Sequence, residues 1–428
     1  MRKKTESAAP VVVIGAGMAG ARLAARVPGV TVVGEERHAP YNRVLLADVL
    51  AGRYAPDVIA LPATEVRRGV RAVRIDRADR LVHCDDGSVL HYGRLVLATG
   101  SNPVLPPLRG LGATLPDGVH PFRTLDDALA LRAAVRPGAR AVVIGGGLLG
   151  VSAARALAEC GAQVVLAQQG EHLMERQLDP EAAALLRVHL EALGVEVHTA
   201  CRVRGLRRTT TATGESVRGT EPTPARATAP TAVQAVQLAD GYELAADLTV
   251  LACGVRPRTG LARAAGLEVR KGIVVDDELR TSDPYIHALG DCAEHRSTLY
   301  GLAGPALEQA DVLAEVLAGR PARYEGTRAL TRLSLRAGSR AHGTGGPDAL
   351  DLAAFGEARP LPGDDVIRLS DATRGAYRTV VLREGRLAGG VLLGDLGAVA
   401  GLARTWQDDE PLPPAMSLLH LLTDDGGH

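Results

Sequence analysis

The sequence predicts an α/β chain in which one strand–glycine loop–helix–strand unit occurs twice and a small α+β unit follows. Three observations predict it. The β-branched run Val11–Ile14 leads into Gly15-Ala16-Gly17-Met18-Ala19-Gly20, a helical stretch to about Arg26 and the run Thr31-Val32-Val33. The same order returns as Ala141–Ile144, Gly145–Gly150, Val151–Cys160 and Gln163–Ala167. From about Tyr324 the pattern changes to short, closely spaced strand-like runs. Short β-branched runs that alternate with helices read as parallel strands buried on both faces.

Along the chain, residues 1–9 form a polar tail. Met1-Arg2-Lys3-Lys4 imitates the basic start of a secretory leader, but Val11–Ile14 is too short for its apolar region and breaks into glycines, then Arg22 and Arg26. Both repeats therefore count as folded units. Residues around Val197–Val203 and Val233–Leu238 alternate like strands. The Thr/Ala/Pro-rich stretch between them, 207–232, has no apolar periodicity and is expected to be a disordered hairpin connection. Further on, Thr331–Leu335, Leu350–Phe355, Asp365–Leu369, Tyr377–Arg383 and Arg386–Leu393 read as strands, with a tight hairpin at Gly385 and a helix over Leu396–Thr405. The expected domains are 1–117 with 246–325, then 118–245, then 326–428.

Composition narrows the function classes. Lys+Arg and Asp+Glu both number 49, so no global charge draws the chain to nucleic acid or an anionic membrane. No segment carries the ~20 uncharged apolar residues that span a bilayer, and a cytoplasmic protein is expected. The five cysteines, at 84, 160, 201, 253 and 292, show no short paired spacing. That argues against a disulfide framework, a redox-active cysteine pair and a cysteine-held metal or iron–sulfur site. The twelve histidines show no metal-ligand spacing, so no metal and no catalytic histidine is assigned. Aromatics are only 3%, so the cores must rest on Val, Leu, Ile and Ala.

The two glycine loops carry the chemistry. In G-x-G-x-x-G between a strand and a helix, the first glycine makes the tight turn. The second lets backbone approach a pyrophosphate, and the third lets helix pack on strand. The helix N-terminus then offers free N–H groups and a favourable dipole to the phosphates. Gly15, Ala16, Gly17, Met18, Ala19 and Gly20 fit the motif. Glu35 and Glu36 stand about twenty residues on, where a carboxylate can accept ribose hydroxyls. Gly145, Gly147, Leu148, Leu149 and Gly150 fit it again. The matching strand-end residue is Gln168, neither an acid that favours NADH nor an arginine that grips the extra phosphate of NADPH. Two further strand ends favour a flavin at one loop: Leu95–Leu97 running into Ala98-Thr99-Gly100, and a strand ending in Gly290-Asp291. An Asp so placed can hold a ribityl hydroxyl.

In this order these motifs resemble the FAD- and NAD(P)-dependent pyridine nucleotide–disulfide oxidoreductase superfamily. Tyr41–Leu46, Leu173–Asp179, Tyr300-Gly301-Leu302 and 373–395 more narrowly resemble the flavin module of NAD(P)H nitrite reductase large subunits and of assimilatory nitrate reductase electron-transfer subunits. The resemblance covers nearly the whole chain. It implies two Rossmann-like dinucleotide-binding domains, one for FAD and one for NADH or NADPH, plus a small α+β C-terminal interface domain. It places Arg43 on the FAD pyrophosphate, and a helix expected to start near Pro305, after Gly301-Leu302-Ala303-Gly304, would turn its positive end to the flavin. In neighbouring ferredoxin-reductase-like families a Lys follows that Arg by five positions, and a Glu stands two residues after the second glycine loop. Here those positions are Asp48 and Ser152. The implied activity passes electrons from NAD(P)H through FAD to a separate acceptor protein or domain, plausibly in nitrite or nitrate assimilation, with a homodimer as a further expectation. A stand-alone flavin oxidase or reductase of a small molecule, and a flavin-binding regulatory protein, remain as alternatives. Arg332, Arg336 and Arg340 suggest a basic docking face for an acidic carrier.

Overall fold

The computed structural model describes residues 10–62, 65–112, 114–209, 232–336, 349–371, 373, 375–409, 411–412 and 422. Two five-stranded parallel sheets carry the two repeats. The first orders its strands Ile286–Ala288, Arg94–Leu97, Val11–Ile14, Thr31–Gly34 and Val66–Arg68. Its central members are apolar on both faces because helices cover both. Val13, Val32 and Leu95–Leu97 are all fully buried. Ile286–Ala288 arrives from far down the chain, so the second repeat is inserted into the first.

The second sheet runs Val195–His198, Gln163–Ala167, Arg140–Ile144, Leu248–Leu251 and Val119–Pro121, again all parallel. The strand Leu248–Leu251 pairs directly with Arg140–Ile144, so the return to the first half falls after residue 251 and not at 245/246. The reason is topological: the glycine-loop strand needs a parallel neighbour on each side, and this run supplies one. The two connections between the halves lie side by side, Ser101–Pro103 pairing antiparallel with Val255–Pro257.

Several expected elements shift. The second glycine-loop helix is Leu148–Glu159, starting straight after Gly147 and not at Val151. The alternating stretch 197–203 is divided between two sheets. Val195–His198 ends the parallel sheet, while Val203–Arg208 opens an antiparallel hairpin with Val233–Leu238. The hairpin pairing is as expected, and residues 210–231 of its connection lie outside the described residues. An antiparallel unit, Ala72–Asp76, Leu81–Cys84 and Val89–His91, stands between two strands of the first sheet. Its short, mixed-polarity strands leave no clear period in the sequence.

The C-terminal unit is a five-stranded antiparallel sheet ordered Leu330–Arg336, Ala349–Gly356, Arg386–Leu393, Ala376–Arg383 and Asp365–Asp371, with the helix Val399–Asp408 against it. Arg383 pairs with Arg386 across Glu384 and Gly385, whose φ values of 52° and 71° are both positive. That is the turn matched to strand twist in a two-residue hairpin. The helix begins three residues later than expected, because 396–398 form its approach and Ala398 its N-cap. One apolar cluster links the units. It runs from Leu46, Val49 and Leu50, through Val151, Ala154 and Leu157, to Leu352, Tyr377 and Val391 of the C-terminal sheet.

Candidate dinucleotide sites

Both glycine loops have the same geometry, built from the same three demands. Gly15 has φ +114°, and a Cβ there would lie 2.1 Å from the Ala98 carbonyl oxygen. Gly145 has φ +111°, and its Cβ would lie 2.5 Å from that of Ala252. Each first glycine is therefore fixed by backbone conformation and by the neighbouring strand end. A Cβ on Gly20 would sit 2.0 Å from the Gly15 oxygen, and on Gly150 1.7 Å from the Gly145 oxygen, so the third glycine lets the helix touch the loop. By contrast, Gly17 and Gly147 have nothing within 4 Å of a notional Cβ. They face open space at the starts of Met18–Arg26 and Leu148–Glu159. Neither helix has a side-chain N-cap bond or an acidic residue in its first turn. Free donors and open space together form an anion cradle.

The strand ends around the first cradle hold charged side chains in a connected set. Arg43 donates to Glu36 Oε1 at 2.6 Å and to the Arg123 carbonyl at 2.6 Å, and Tyr41 donates to Glu36 Oε2 at 2.6 Å. Arg123 in turn donates to Asp291 Oδ2 at 2.5 Å and to Ser101 Oγ at 2.7 Å, while Ser101 donates to Asp291 at 3.0 Å. Two cations and two carboxylates thus meet near the C-terminal ends of the first sheet's strands. Burial raises the Tyr41 phenol, so the hydroxyl stays protonated. Burial also pulls the Arg123 guanidinium down, opposed by Asp291. The Arg123 Nε is buried without a partner. Ser101 and Arg123 were not singled out in the sequence. Ser101 directly follows Ala98-Thr99-Gly100, and Arg123 precedes the capping Thr124 of the helix Leu125–Ala134.

The other predicted residues fall around this set. Gly290 has φ +75°, and its N–H donates to the buried Gln309 Oε1 at 2.7 Å, fixing the turn that presents Asp291. Leu302 is the N-cap of Ala303–Leu317, another helix without a side-chain cap. Glu35 is exposed and pairs with Arg258 at 2.7 Å, so the two adjacent glutamates serve different partners. Gln168 turns inward: its Oε1 accepts from the Gly146 N–H at 2.8 Å, bracing the second loop. Cys292 is buried, with its thiol against the Leu97 and Leu289 carbonyls, and burial raises its pKa, as suits a packing residue.

Asp48 and Ser152 do not face one another. Ser152 Oγ bonds back to the Leu148 carbonyl of its own helix at 2.8 Å. Asp48 instead meets Arg155 at 2.9 Å, one helical turn beyond Ser152. Arg155 also holds Glu159 at 3.0 Å, and Glu159 holds Arg53 at 2.9 Å. This four-residue chain ties the helix Leu46–Ala51 to Leu148–Glu159. Among the described residues no cluster of His, Cys, Asp or Glu could hold a metal, and no helix is long and apolar enough to cross a membrane. Arg332 is exposed on the C-terminal sheet, while Arg340 lies outside the described residues.

Two glycine-loop cradles on parallel sheets, with charged residues at the strand ends of one, define a protein with two Rossmann-like dinucleotide-binding units. The chain belongs to the pyridine nucleotide-disulphide oxidoreductase family, whose model matches residues 9–310. It is 36% identical over 398 residues to the nitrite reductase [NAD(P)H] large subunit of Klebsiella oxytoca, covering 90% of this chain and 38% of that one. It is 33% identical over 401 residues to the assimilatory nitrate reductase electron transfer subunit of Bacillus subtilis, covering 90% and 47%. The chain therefore spans less than half the length of these relatives. The reductase in the covalent putidaredoxin reductase–putidaredoxin complex superposes with a TM-score of 0.79 at 26% identity, covering 96% and 95% of the two chains.

Proposed function

We propose that the chain is an electron-input flavoenzyme that takes hydride from NADH or NADPH at the second cradle and passes electrons from FAD in the first cradle to a separate acceptor. The observation that carries the reading is the duplicated cradle: two open second glycines at uncapped helix starts, only one of them ringed by the Arg43–Glu36–Arg123–Asp291 set.

The residues fit the group. Gly17 and the N–H groups of Met18–Arg26 would receive the FAD pyrophosphate, with Arg43 supplying positive charge beside it. Glu35 keeps Oε1 for a ribose hydroxyl, since its ion pair uses Oε2. Asp291, presented by the Gly290 turn and braced by Arg123 and Ser101, would accept from the ribityl chain. The start of Ala303–Leu317 would direct its dipole at the flavin. Gly147 and the start of Leu148–Glu159 would receive the nicotinamide nucleotide's pyrophosphate. When bound, FAD supplies the hydride-accepting and electron-passing chemistry; the protein supplies alignment, exclusion of water and charge. No general acid or base is required of the chain.

The acceptor is a protein or domain outside this chain, as the names of the nitrate reductase electron transfer subunit and of the putidaredoxin complex suggest. A place in nitrite or nitrate assimilation, in the cytoplasm, is part of the same proposal, as is a homodimer through the C-terminal sheet. Steady-state nucleotide oxidation tests it. FAD-loaded protein should oxidise NADH or NADPH rapidly when ferricyanide is present and slowly in aerated buffer without it. Equal rates in aerated buffer alone, with oxygen consumed in step, would instead identify a stand-alone oxidase.

A further inference from the structure

The Glu35–Arg258 pair crosses the first cradle. Three adjacent strands end there in the order Arg94–Leu97, Val11–Ile14, Thr31–Gly34. Arg258 is anchored beyond the first of these: its N–H donates to the Gly100 carbonyl at 2.9 Å, and Thr99 Oγ1 donates to the Arg258 carbonyl at 2.8 Å. Glu35 follows the third. Between them lies the glycine loop that ends the middle strand. With strands about 4.8 Å apart, the side chains bridge two interstrand spacings, on the order of 10 Å, over the loop's mouth. Ligands of open α/β sheets bind at these carboxyl ends, with the ribose at the acidic strand end and the pyrophosphate on the helix start. The pyrophosphate and the ribose next to it therefore lie along the path of the pair.

Three properties suit the pair to open and close. Both side chains are well exposed, Arg258 at 39% and Glu35 at 45%, so the contact is weak and exchanges readily with water. The Arg258 backbone is held at both its N–H and its carbonyl, so only the side chain needs to move. A guanidinium is also a planar fork of N–H donors that matches phosphate oxygens.

We propose that Arg258, held by Glu35, is a clasp that closes over the pyrophosphate of bound FAD and governs how fast the cofactor leaves. The clasp rests on the assignment of FAD to the first cradle. It has a specific chemistry: the guanidinium donates to a phosphate oxygen, and the Glu35 carboxylate fixes the fork on one side while accepting a ribose hydroxyl with its other oxygen.

The test is FAD release, read as the return of flavin fluorescence after dilution into cofactor-free buffer at low and high NaCl. Wild-type protein, Arg258→Ala, Arg258→Lys and Glu35→Gln are compared. Arg258→Ala should release FAD roughly tenfold faster, the loss expected for one charge-assisted bond to a phosphate oxygen. Arg258→Lys should fall between Ala and wild type, because it keeps the charge but loses the planar fork. Glu35→Gln should also speed release. Salt should accelerate release from wild type and have little effect on Arg258→Ala. Thermal melting of the cofactor-free variants should match wild type, since the pair is at the surface. Release rates that are the same in wild type, Arg258→Ala and Glu35→Gln would overturn the clasp and leave FAD binding intact. A wild-type chain that retains no FAD would overturn both the clasp and the assignment beneath it.

Discussion

Arg155 offers a sharp perturbation, because it is a charge buried between two halves of the molecule. Its side chain is only 3% exposed, and its guanidinium holds Asp48 at 2.9 Å and Glu159 at 3.0 Å. Arg155→Met keeps much of the side-chain volume and removes the charge. Deleting one partner of a buried ion pair costs about 3–5 kcal/mol, because the other is left uncompensated. Here the full figure does not apply. Asp48 is 22% and Glu159 16% exposed, and Glu159 keeps Arg53 at 2.9 Å. The expected loss is about 2–3 kcal/mol. It is measured as the urea midpoint multiplied by each variant's own slope. Adding Asp48→Leu to Arg155→Met should recover part of the loss, since the carboxylate left with only its longer 3.8 Å contact to Arg53 is then gone. The double-mutant cycle should give a coupling of at least about 1 kcal/mol. A loss below about 0.5 kcal/mol for Arg155→Met, the range of ordinary surface changes, or a coupling near zero, would refute the claim that this chain of charges ties the two helices together.

The glycines of the first loop should separate fold from ligand. Gly20→Ala drives a methyl to 2.0 Å from the Gly15 oxygen and should cost at least about 1–3 kcal/mol in melting studies. Gly17→Ala meets nothing within 4 Å and should leave the cofactor-free melting temperature unchanged while lowering FAD retention. Acid should weaken the protein partly through His287, which is buried and has its pKa lowered to about 4 by that burial and by Arg280 and Arg94. Its folded pKa lies below the ordinary 6.5, so the unfolded chain binds the extra proton between the two values. The stability is complete above about pH 6.5 and is lost as pH falls towards 4, by about 3 kcal/mol in all. His287→Asn should flatten the urea-midpoint profile across that window relative to wild type, and an unchanged profile would show that His287 is not the source.

Much of this was legible in the sequence, for identifiable reasons. The G-x-G-x-x-G pattern between a β-branched run and a helix constrains its own turn, so both glycine loops, their strands and the Gly290-Asp291 turn stand where the pattern places them. The two-residue turn at Gly385 is equally local. What escaped depends on contacts distant in sequence. Arg123 and Ser101 act through Asp291, 168 and 190 residues away, and no local pattern announces such a bond. The two glutamates look equivalent in the chain, yet Glu36 turns to Tyr41 and Arg43 while Glu35 reaches Arg258. Asp48 stands where neighbouring families carry a Lys, and its partner Arg155 is visible only once two helices are packed together. Leu248–Leu251 was assigned to the wrong half, because a fully apolar four-residue run carries no mark of the sheet it joins.

In the proposed function, hydride from a nicotinamide nucleotide reaches a flavin held by this chain. Rapid mixing of the FAD-loaded protein with NADH, and separately with NADPH, in the absence of oxygen tests it directly through absorbance at the flavin band. Fast bleaching with at least one nucleotide is expected, followed by recovery of the oxidised spectrum when ferricyanide is added. A flavin that dithionite reduces but neither nucleotide bleaches would contradict it, and would mark the second cradle as one that no longer delivers hydride.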